Sequence, residues 1–345
     1  MDKLRIGIVG TGLIGRVHAE ALAGIPQAKL SAVYNRSPAR GQFLADRFHV
    51  PWYDEYDRFL AHGALDAVII CTPSGTHSNF AIPAAEAGKH IIVEKPLEIT
   101  VERAFRIIAA AEKYGVSLSV IFQNRFKEAV QALRTALEDG RFGRLVLGDA
   151  HVKWYRPEDY YQGWKGTRRY DGGGALMNQG IHTIDLLQWM MGSVDEVYGY
   201  IDARIHRIEV EDIGVATLRF QSGALGVIEG TTAVYPGLNE RLGIYGANGC
   251  VEIDGNRIAT WEFRDKRDDD STIRKLRSEV GGGSSTPGGI GIELHRRQLK
   301  EIIRAIQEGE PPPVLGREAV KSVAIIEAIY TSSRTRKPIR PEYLD

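Results

Sequence analysis

Through the first 125 residues, short uninterrupted apolar runs alternate with stretches in which apolar positions recur every three or four residues. The runs at 5–9, 29–34, 67–71, 90–93 and 117–122 predict strands, and the stretches at 14–23, 39–48, 79–87 and 101–114 predict helices. Strands separated by helices at this spacing are βαβ units of a parallel sheet, and continuous apolarity fits strands covered on both faces. From about Phe126 the pattern changes. A helix over 127–138 leads into longer runs of alternating polarity at 145–155, 196–204, 212–220, 225–232 and 240–246, with a shorter one at 249–253. Period-two alternation, with turn signals at Gln221-Ser222-Gly223 and Ala247-Asn248-Gly249, predicts an open, mainly antiparallel sheet with helices on one face. The Gly-, Ser- and Pro-rich stretch 281–291 reads as a mobile surface loop, and helices over 293–308 and 317–334 close the chain. The expected organisation is an α/β domain over 1–125 and an α+β domain over 126–345, the C-terminal helix being able to pack back on the first.

The first strand runs into Gly10-Thr11-Gly12-Leu13-Ile14-Gly15 and then a helix. This is G-x-G-x-x-G in strand–turn–helix context, the fingerprint of a Rossmann domain that binds a dinucleotide. Gly10 makes the tight turn, Gly12 lets the backbone approach a pyrophosphate, and Gly15 allows close helix–sheet packing. The helix start, with Thr11, Leu13 and Ile14 beside the glycines, offers backbone N–H groups to the phosphates. At the end of the second strand, where a carboxylate would bind the NAD ribose, the chain has Asn35, then Arg36, Ser37 and Arg40. No carboxylate repels a 2′-phosphate there and two guanidiniums are available to pair with one, so the expected cofactor is NAD(H) or NADP(H), with the balance towards NADP(H).

Composition narrows the function classes. Lys plus Arg and Asp plus Glu each number 44 in 345 residues, so the formal net charge is zero and no global field attracts nucleic acid or an anionic membrane. The two cysteines, Cys71 and Cys250, are too few for a disulfide framework, and no Cys/His spacing resembles a zinc site, so no metal is expected. The N-terminus carries no signal-peptide pattern and no apolar run reaches the roughly 20 residues of a membrane span, which points to the cytoplasm. Leu225, Val227 and Ile228 suggest a partly apolar sheet face of the kind that pairs with another subunit, so a homodimer or homotetramer is expected.

Ligands of open α/β sheets sit at the carboxyl ends of strands. Gly10, the segment Cys71-Thr72-Pro73-Ser74 with His77 close behind, Glu94-Lys95-Pro96 and Gln123 all fall at such ends, which makes them candidate cofactor contacts and places Lys95 at the crevice. Pro96 can follow a cis peptide. Further on, Asp171-Gly172-Gly173-Gly174 opens a helix on which Asn178 and His182 stand four apart and share a face. Together, Ile69–Ser74, Glu94-Lys95-Pro96, Gln123-Asn124-Arg125-Phe126 and the run from Asp171 through His182 to Trp189 resemble the Gfo/Idh/MocA family of glucose–fructose oxidoreductase and inositol dehydrogenase. The resemblance extends from Leu4 to about Ile339. It implies hydride transfer between a nicotinamide and a sugar or polyol hydroxyl, with Lys95 and His182 at the alcohol. His182 suits the general base, its ordinary pKa of about 6.5 lying near operating pH, while Lys95 polarises the oxygen. Many family members carry Asp four residues before the His; Asn178 removes that charge and adds a donor.

The stretch Lys153-Trp154-Tyr155-Arg156-Pro157, followed by Tyr160, Tyr161, Trp164, Arg168 and Arg169, is aromatic and cationic. Aromatic faces stack on pyranose rings and arginines clamp anionic oxygens, so Tyr155, Arg156, Trp164 and Arg168, with Arg125, are candidate contacts to an anionic or nucleotide-linked sugar. Similar runs occur in family members that oxidise the 3-hydroxyl of nucleotide-linked aminosugars. Two other activities fit the resemblance: a glycosidase that oxidises its sugar transiently on bound NAD, and a non-catalytic NAD(P) sensor.

Overall fold

The computed structural model describes residues 2–63, 65–277 and 291–343. The stretch expected to be a mobile loop, 281–291, lies outside the described residues except for Gly291. Packing separates two compact units, 2–123 with 291–320, and 124–277 with 321–343.

The first unit contains β1 (Leu4–Val9), α1 (Leu13–Ala23), β2 (Ala28–Tyr34), α2 (Pro38–Phe48), β3 (Trp52–Tyr53), α3 (Tyr56–Leu60), β4 (Ala67–Ile70), α4 (His77–Glu86), β5 (His90–Val93), α5 (Val101–Lys113) and β6 (Leu118–Val120). Every strand pair is parallel and the order is β3-β2-β1-β4-β5-β6. The order reverses at the β1–β4 pair, the switch point outside which such sheets bind ligands. All four residues of β4 are buried, as their uninterrupted apolarity predicts. β3 and α3 have no counterpart in the sequence expectation, because elements of two and five residues leave too little periodicity to detect.

The second unit contains α6 (Glu128–Glu138), β7 (Leu145–Lys153), α7 (Ile181–Met191), β8 (Val194–Asp202), β9 (Ile213–Phe220), β10 (Leu225–Thr231), β11 (Arg241–Gly246), β12 (Gly249–Asp254), β13 (Arg257–Phe263) and α8 (Asp270–Ile273). The chain closes with α9 (Ile292–Glu308) and α10 (Gly316–Thr335). The seven strands run in the order β13-β12-β11-β7-β10-β9-β8. The pairs are antiparallel except β7 with β10, which is parallel, so the sheet is open and mainly antiparallel. α9 belongs to the first unit: its Leu299, Ile302 and Ile303 lie one helical turn apart and bury against Ala19, Leu22 and Ile25. Among the described residues no helix is long and apolar enough to cross a membrane.

Strict alternation along β9 and β10 turns Gly214, Ala216, Leu218 and Phe220 inward with Gly226, Ile228 and Gly230. The expectation that Leu225, Val227 and Ile228 share one face is therefore corrected: period two sends Leu225 and Val227 outward while Ile228 is 1% exposed. Tyr200, Val215 and Leu225 leave the outward face partly apolar.

The inward face carries a slot without side chains. Gly214 and Gly230 pair directly across β9 and β10. Above them lies Leu176, in a turn of π-helix (Ala175–Gly180) that runs straight into α7. A Cβ on Gly214 would come within 2.6 Å of Leu176 Cδ1, and one on Gly230 within 2.5 Å of its Cδ2. Gly214→Val should cost about 1–3 kcal/mol through overpacking, read as a lower midpoint in urea. Adding Leu176→Ala should return part of that loss, since the two changes share one clash; a purely additive double variant would place the clash elsewhere.

Candidate active site

In the first unit the three glycines of the loop after β1 do different work. Gly10 has φ of 94° and a Cβ there would lie 2.8 Å from the Cys71 carbonyl oxygen, while one on Gly15 would lie 2.1 Å from the Gly10 oxygen. Both positions are closed to any other residue by the fold itself. Gly12 is different: its backbone is extended and a Cβ would meet nothing within 4 Å. The chain's own packing does not require glycine there, whereas a pyrophosphate laid against the backbone does. No side chain caps α1 and no acidic residue stands in its first turn, so its N–H groups remain suited to an anion. These features fit a bound dinucleotide.

Thr11 ties this loop to the end of β2, donating from Oγ1 to the Arg40 carbonyl at 2.9 Å and accepting from Asn35 Nδ2 at 2.7 Å. Asn35 Oδ1 receives the N–H of Ser37 at 2.8 Å, and Trp52 donates to its backbone oxygen. Leu13 is exposed and Ile14 packs on the core. Arg36 and Arg40 are both exposed, and neither side chain has an ion-pair partner among the described residues.

At the ends of β4 and β5, Cys71 is buried and burial pushes its thiol well up. Thr72, Pro73 and Ser74 lead into a short 3₁₀ turn (Ser74–Thr76), in which Thr76 Oγ1 bonds the Pro73 carbonyl at 2.6 Å. His77, 1% exposed, spans the two strand ends, its ring nitrogens 3.0 Å from the Thr72 oxygen and 2.9 Å from the Pro96 oxygen. Lys95 is half-buried and the Lys95–Pro96 peptide is cis. Its backbone N–H reaches Glu94 Oε2 at 3.2 Å, and Glu94 Oε1 lies 2.8 Å from Nε2 of His18. Burial alone would raise the Glu94 carboxyl, but the His18 hydrogen bond and the cationic charge around it hold it at about 2. Gln123 is half-buried at the end of the unit, its Oε1 buried without a hydrogen-bond partner.

In the second unit, Asn178 sits in the π-helical turn and His182 in the first turn of α7, so the two share a face across a change of helix type rather than within one α-helix. Within 175–188 every residue is buried except Asn178 and His182, which are half-buried. Asn178 Nδ2 donates to Oδ1 of buried Asp171 at 2.5 Å, while Asp171 Oδ2 receives the Gly166 N–H at 2.8 Å. The N-terminus of the turn is held by buried Glu211, which accepts from the N–H groups of Gly174 and Leu176, each at 2.9 Å, and from Tyr330. A Cβ on Gly174 would fall 1.8 Å from the Glu211 carbonyl, which explains the glycine run.

The candidate sugar contacts divide into two sets. Tyr155 is half-buried against Tyr235, Trp164 is half-buried, and Arg168 is exposed with its Nε on the Glu209 carbonyl. Arg156 is 5% exposed, its guanidinium lying on the rings of Trp154 and Tyr160. Arg125 is 2% exposed and grips Asp185 with two hydrogen bonds of 2.7 Å, beneath the Trp189 ring. Arg125 is thus engaged by a carboxylate within the unit, and Arg156 by the Tyr155 carbonyl and two aromatic rings. Gln179 joins the helix to the aromatic segment through Tyr160, at 3.0 Å.

Sequence reasoning passed over His18, Glu211 and His295. Glu211 and His295 have no neighbouring motif, and only His18, following the glycine loop, had a positional cue.

Residues 4–122 match the profile described as an oxidoreductase family with an NAD-binding Rossmann fold, and 130–252 match the Gfo/Idh/MocA C-terminal domain. The chain is 31% identical to the uncharacterized oxidoreductase YrbE of Bacillus subtilis, over 98% of this chain and 97% of that protein. It is 28% identical to the myo-inositol 2-dehydrogenase of Thermotoga maritima, over 98% and 99% of the two. The crystal structure of the WlbA dehydrogenase from Bordetella pertussis, in complex with NADH and UDP-GlcNAcA, is 35% identical with a TM-score of 0.90, covering 100% of this chain and 99% of that one. A dinucleotide loop built for a pyrophosphate and relatives matched from end to end lead to one conclusion: the chain belongs to the Gfo/Idh/MocA family of NAD(P)-dependent sugar and polyol dehydrogenases.

Proposed function

We propose that the protein oxidises, or reduces in reverse, a ring hydroxyl of an anionic nucleotide-linked sugar, of the class of an N-acetylhexosaminuronate joined to a nucleoside diphosphate. The observation that carries this reading is the exposure pattern of 175–188, where only Asn178 and His182 remain accessible, next to an aromatic and cationic segment. The relative of highest quoted identity was solved with a ligand of this class. The bound nicotinamide supplies the hydride acceptor. His182 takes the hydroxyl proton, Lys95 polarises the same oxygen, and Asn178, held by Asp171, presents a hydrogen-bonding group without a charge. Trp164 and Tyr155 give stacking faces, and Arg168 and Arg169 are the exposed cations nearest them in sequence.

A panel of UDP-GlcNAcA, the uncharged nucleotide aminosugar, free glucose and myo-inositol, followed by NAD(P)H absorbance, tests the substrate class. The uronate should show kcat/KM at least about 100-fold above the neutral sugars, because a site built for polar contacts is penalised when they are absent. NAD(P)H should accumulate in step with product. Turnover without net NAD(P)H would favour transient oxidation by a glycosidase, and equal rates on inositol would overturn the proposed substrate class.

Lys95→Ala and His182→Ala should each slow the chemical step by about 100-fold or more while dinucleotide affinity changes little. The double variant should fall well short of the product of the two losses if the pair acts as one relay. Near-normal turnover by His182→Ala would remove the assigned base.

We also propose that Arg36 and Arg40 favour NADP(H), being exposed cations without ion-pair partners among the described residues at the position where a 2′-phosphate would bind. Replacing both with Ala should weaken NADP(H) by about 1 kcal/mol or more and leave NAD(H) much less affected. Fluorescence titration with both cofactors decides the point; equal losses would put these arginines outside the adenosine pocket.

A further inference from the structure

Inside the first unit, three donor side chains from three distant parts of the chain converge. His18 comes from α1, Glu94 from the end of β5 and His295 from the first turns of α9. All three are buried, and their donor atoms lie within 4.8 Å of one another. Nε2 of His18 is 2.8 Å from Glu94 Oε1, Nε2 of His295 is 3.8 Å from the same oxygen, and the two rings meet edge to face at 5.2 Å between centroids.

The tautomer of His295 is set by its surroundings. Nδ1 lies 3.1 Å from the Gly291 carbonyl, which can only accept, so Nδ1 carries the hydrogen. With Nδ1 so engaged, Nε2 is the nitrogen whose lone pair is left to face the other two donors. That lone pair has no hydrogen-bond partner and looks towards an anionic oxygen. The oxygen it faces already lies on His18 Nε2, so the unpartnered nitrogen of His295 adds a third donor atom at one dry point, an arrangement that a cation stabilises. His295, its far nitrogen anchored on a backbone carbonyl, is oriented as metal-binding imidazoles usually are.

We propose that His18, Glu94 and His295 form a binding site for a divalent transition metal of the zinc class. Two imidazoles and a carboxylate are a donor set that zinc accepts, and zinc–ligand distances of about 2.0–2.2 Å need only small shifts of donors already this close. The spacing rules for zinc sites miss it because the ligands come from separate elements rather than one local motif. The ion would join α1, the end of β5 and α9, pinning the segment 291–320 that returns to this unit late in the chain. It would also fix the carboxylate whose other oxygen receives the Lys95 N–H. The inference is independent of the proposed substrate.

The test uses the full-length protein, stripped with a chelator, dialysed and titrated with Zn²⁺ and with Co²⁺ as a spectroscopic probe. One equivalent of Zn²⁺ should bind per chain and raise the thermal midpoint, and the Co²⁺ form should show visible d–d bands of a low-coordinate nitrogen and oxygen site. His295→Gln and His18→Gln should each weaken Zn²⁺ binding by about 100-fold or more. X-ray absorption at the zinc edge of the unmodified protein should find two imidazole ligands, a measurement that does not depend on either variant folding. Failure of the stripped protein to retain zinc at micromolar concentration, a zinc shell without two imidazoles, or undiminished binding by a folded His295→Gln variant would each overturn the proposal.

Discussion

The hydrogen bond between His18 Nε2 and the Glu94 carboxylate, 2.8 Å long and closed to water, is the contact around which the strand ends of the first unit are arranged. An ionised carboxylate taken out of water costs several kcal/mol unless it is paired and fully hydrogen-bonded. Glu94 meets that demand from both sides: one oxygen lies on His18 and the other takes the backbone N–H of Lys95. Moving His18 would leave a buried anion uncompensated, so α1 and the end of β5 are held in register by charge as well as by packing. His77 extends the same constraint to the next strand end, its ring spanning the carbonyls of Thr72 and Pro96.

The second unit is organised by the same demand with different residues. Asp185 is satisfied by the fork of Arg125, Asp171 by Asn178 and the Gly166 N–H, and Glu211 by two backbone N–H groups and Tyr330. The buried acids therefore act as fixed acceptors around the turn that carries Asn178 and His182. Glycine permits the close approach, since Leu176 fills the slot over Gly214 and Gly230 and Gly174 lies against the Glu211 carbonyl. A π-helical turn inserted before α7 then sets which side chains of the helix remain reachable.

Function is thus divided between groups that touch ligands and groups that hold them in place. Gly12 and the uncapped start of α1 are shaped for something the chain does not itself provide. Lys95, His182 and Asn178 are half-buried, an exposure that leaves each side chain reachable while its surroundings restrict its geometry. Arg125 is held by Asp185 and Arg156 lies against the Trp154 ring, so both guanidiniums have a fixed place within the unit.

The sequence determined the two sheets apart from β3 and the edge strand β13, the dinucleotide loop and the family, because apolar periodicity and the glycine motif report local backbone geometry that each segment largely sets for itself. Strands β1, β2, β4, β5 and β6 and the alternation of β9 and β10 were legible for that reason, while β3 and α3 were too short to leave a period. The tertiary structure alone decided which polar residues meet. Nothing in the neighbourhood of His18, Glu94 or His295 announces the other two, and Arg125 reads as a free cation until Asp185 is folded against it. It also decided that Ile228 faces inward while Val227 faces out, and that α9 returns to the first unit. Long-range pairing depends on which surfaces chain topology brings together, and the desolvation cost that makes such pairings obligatory arises only once both partners are buried.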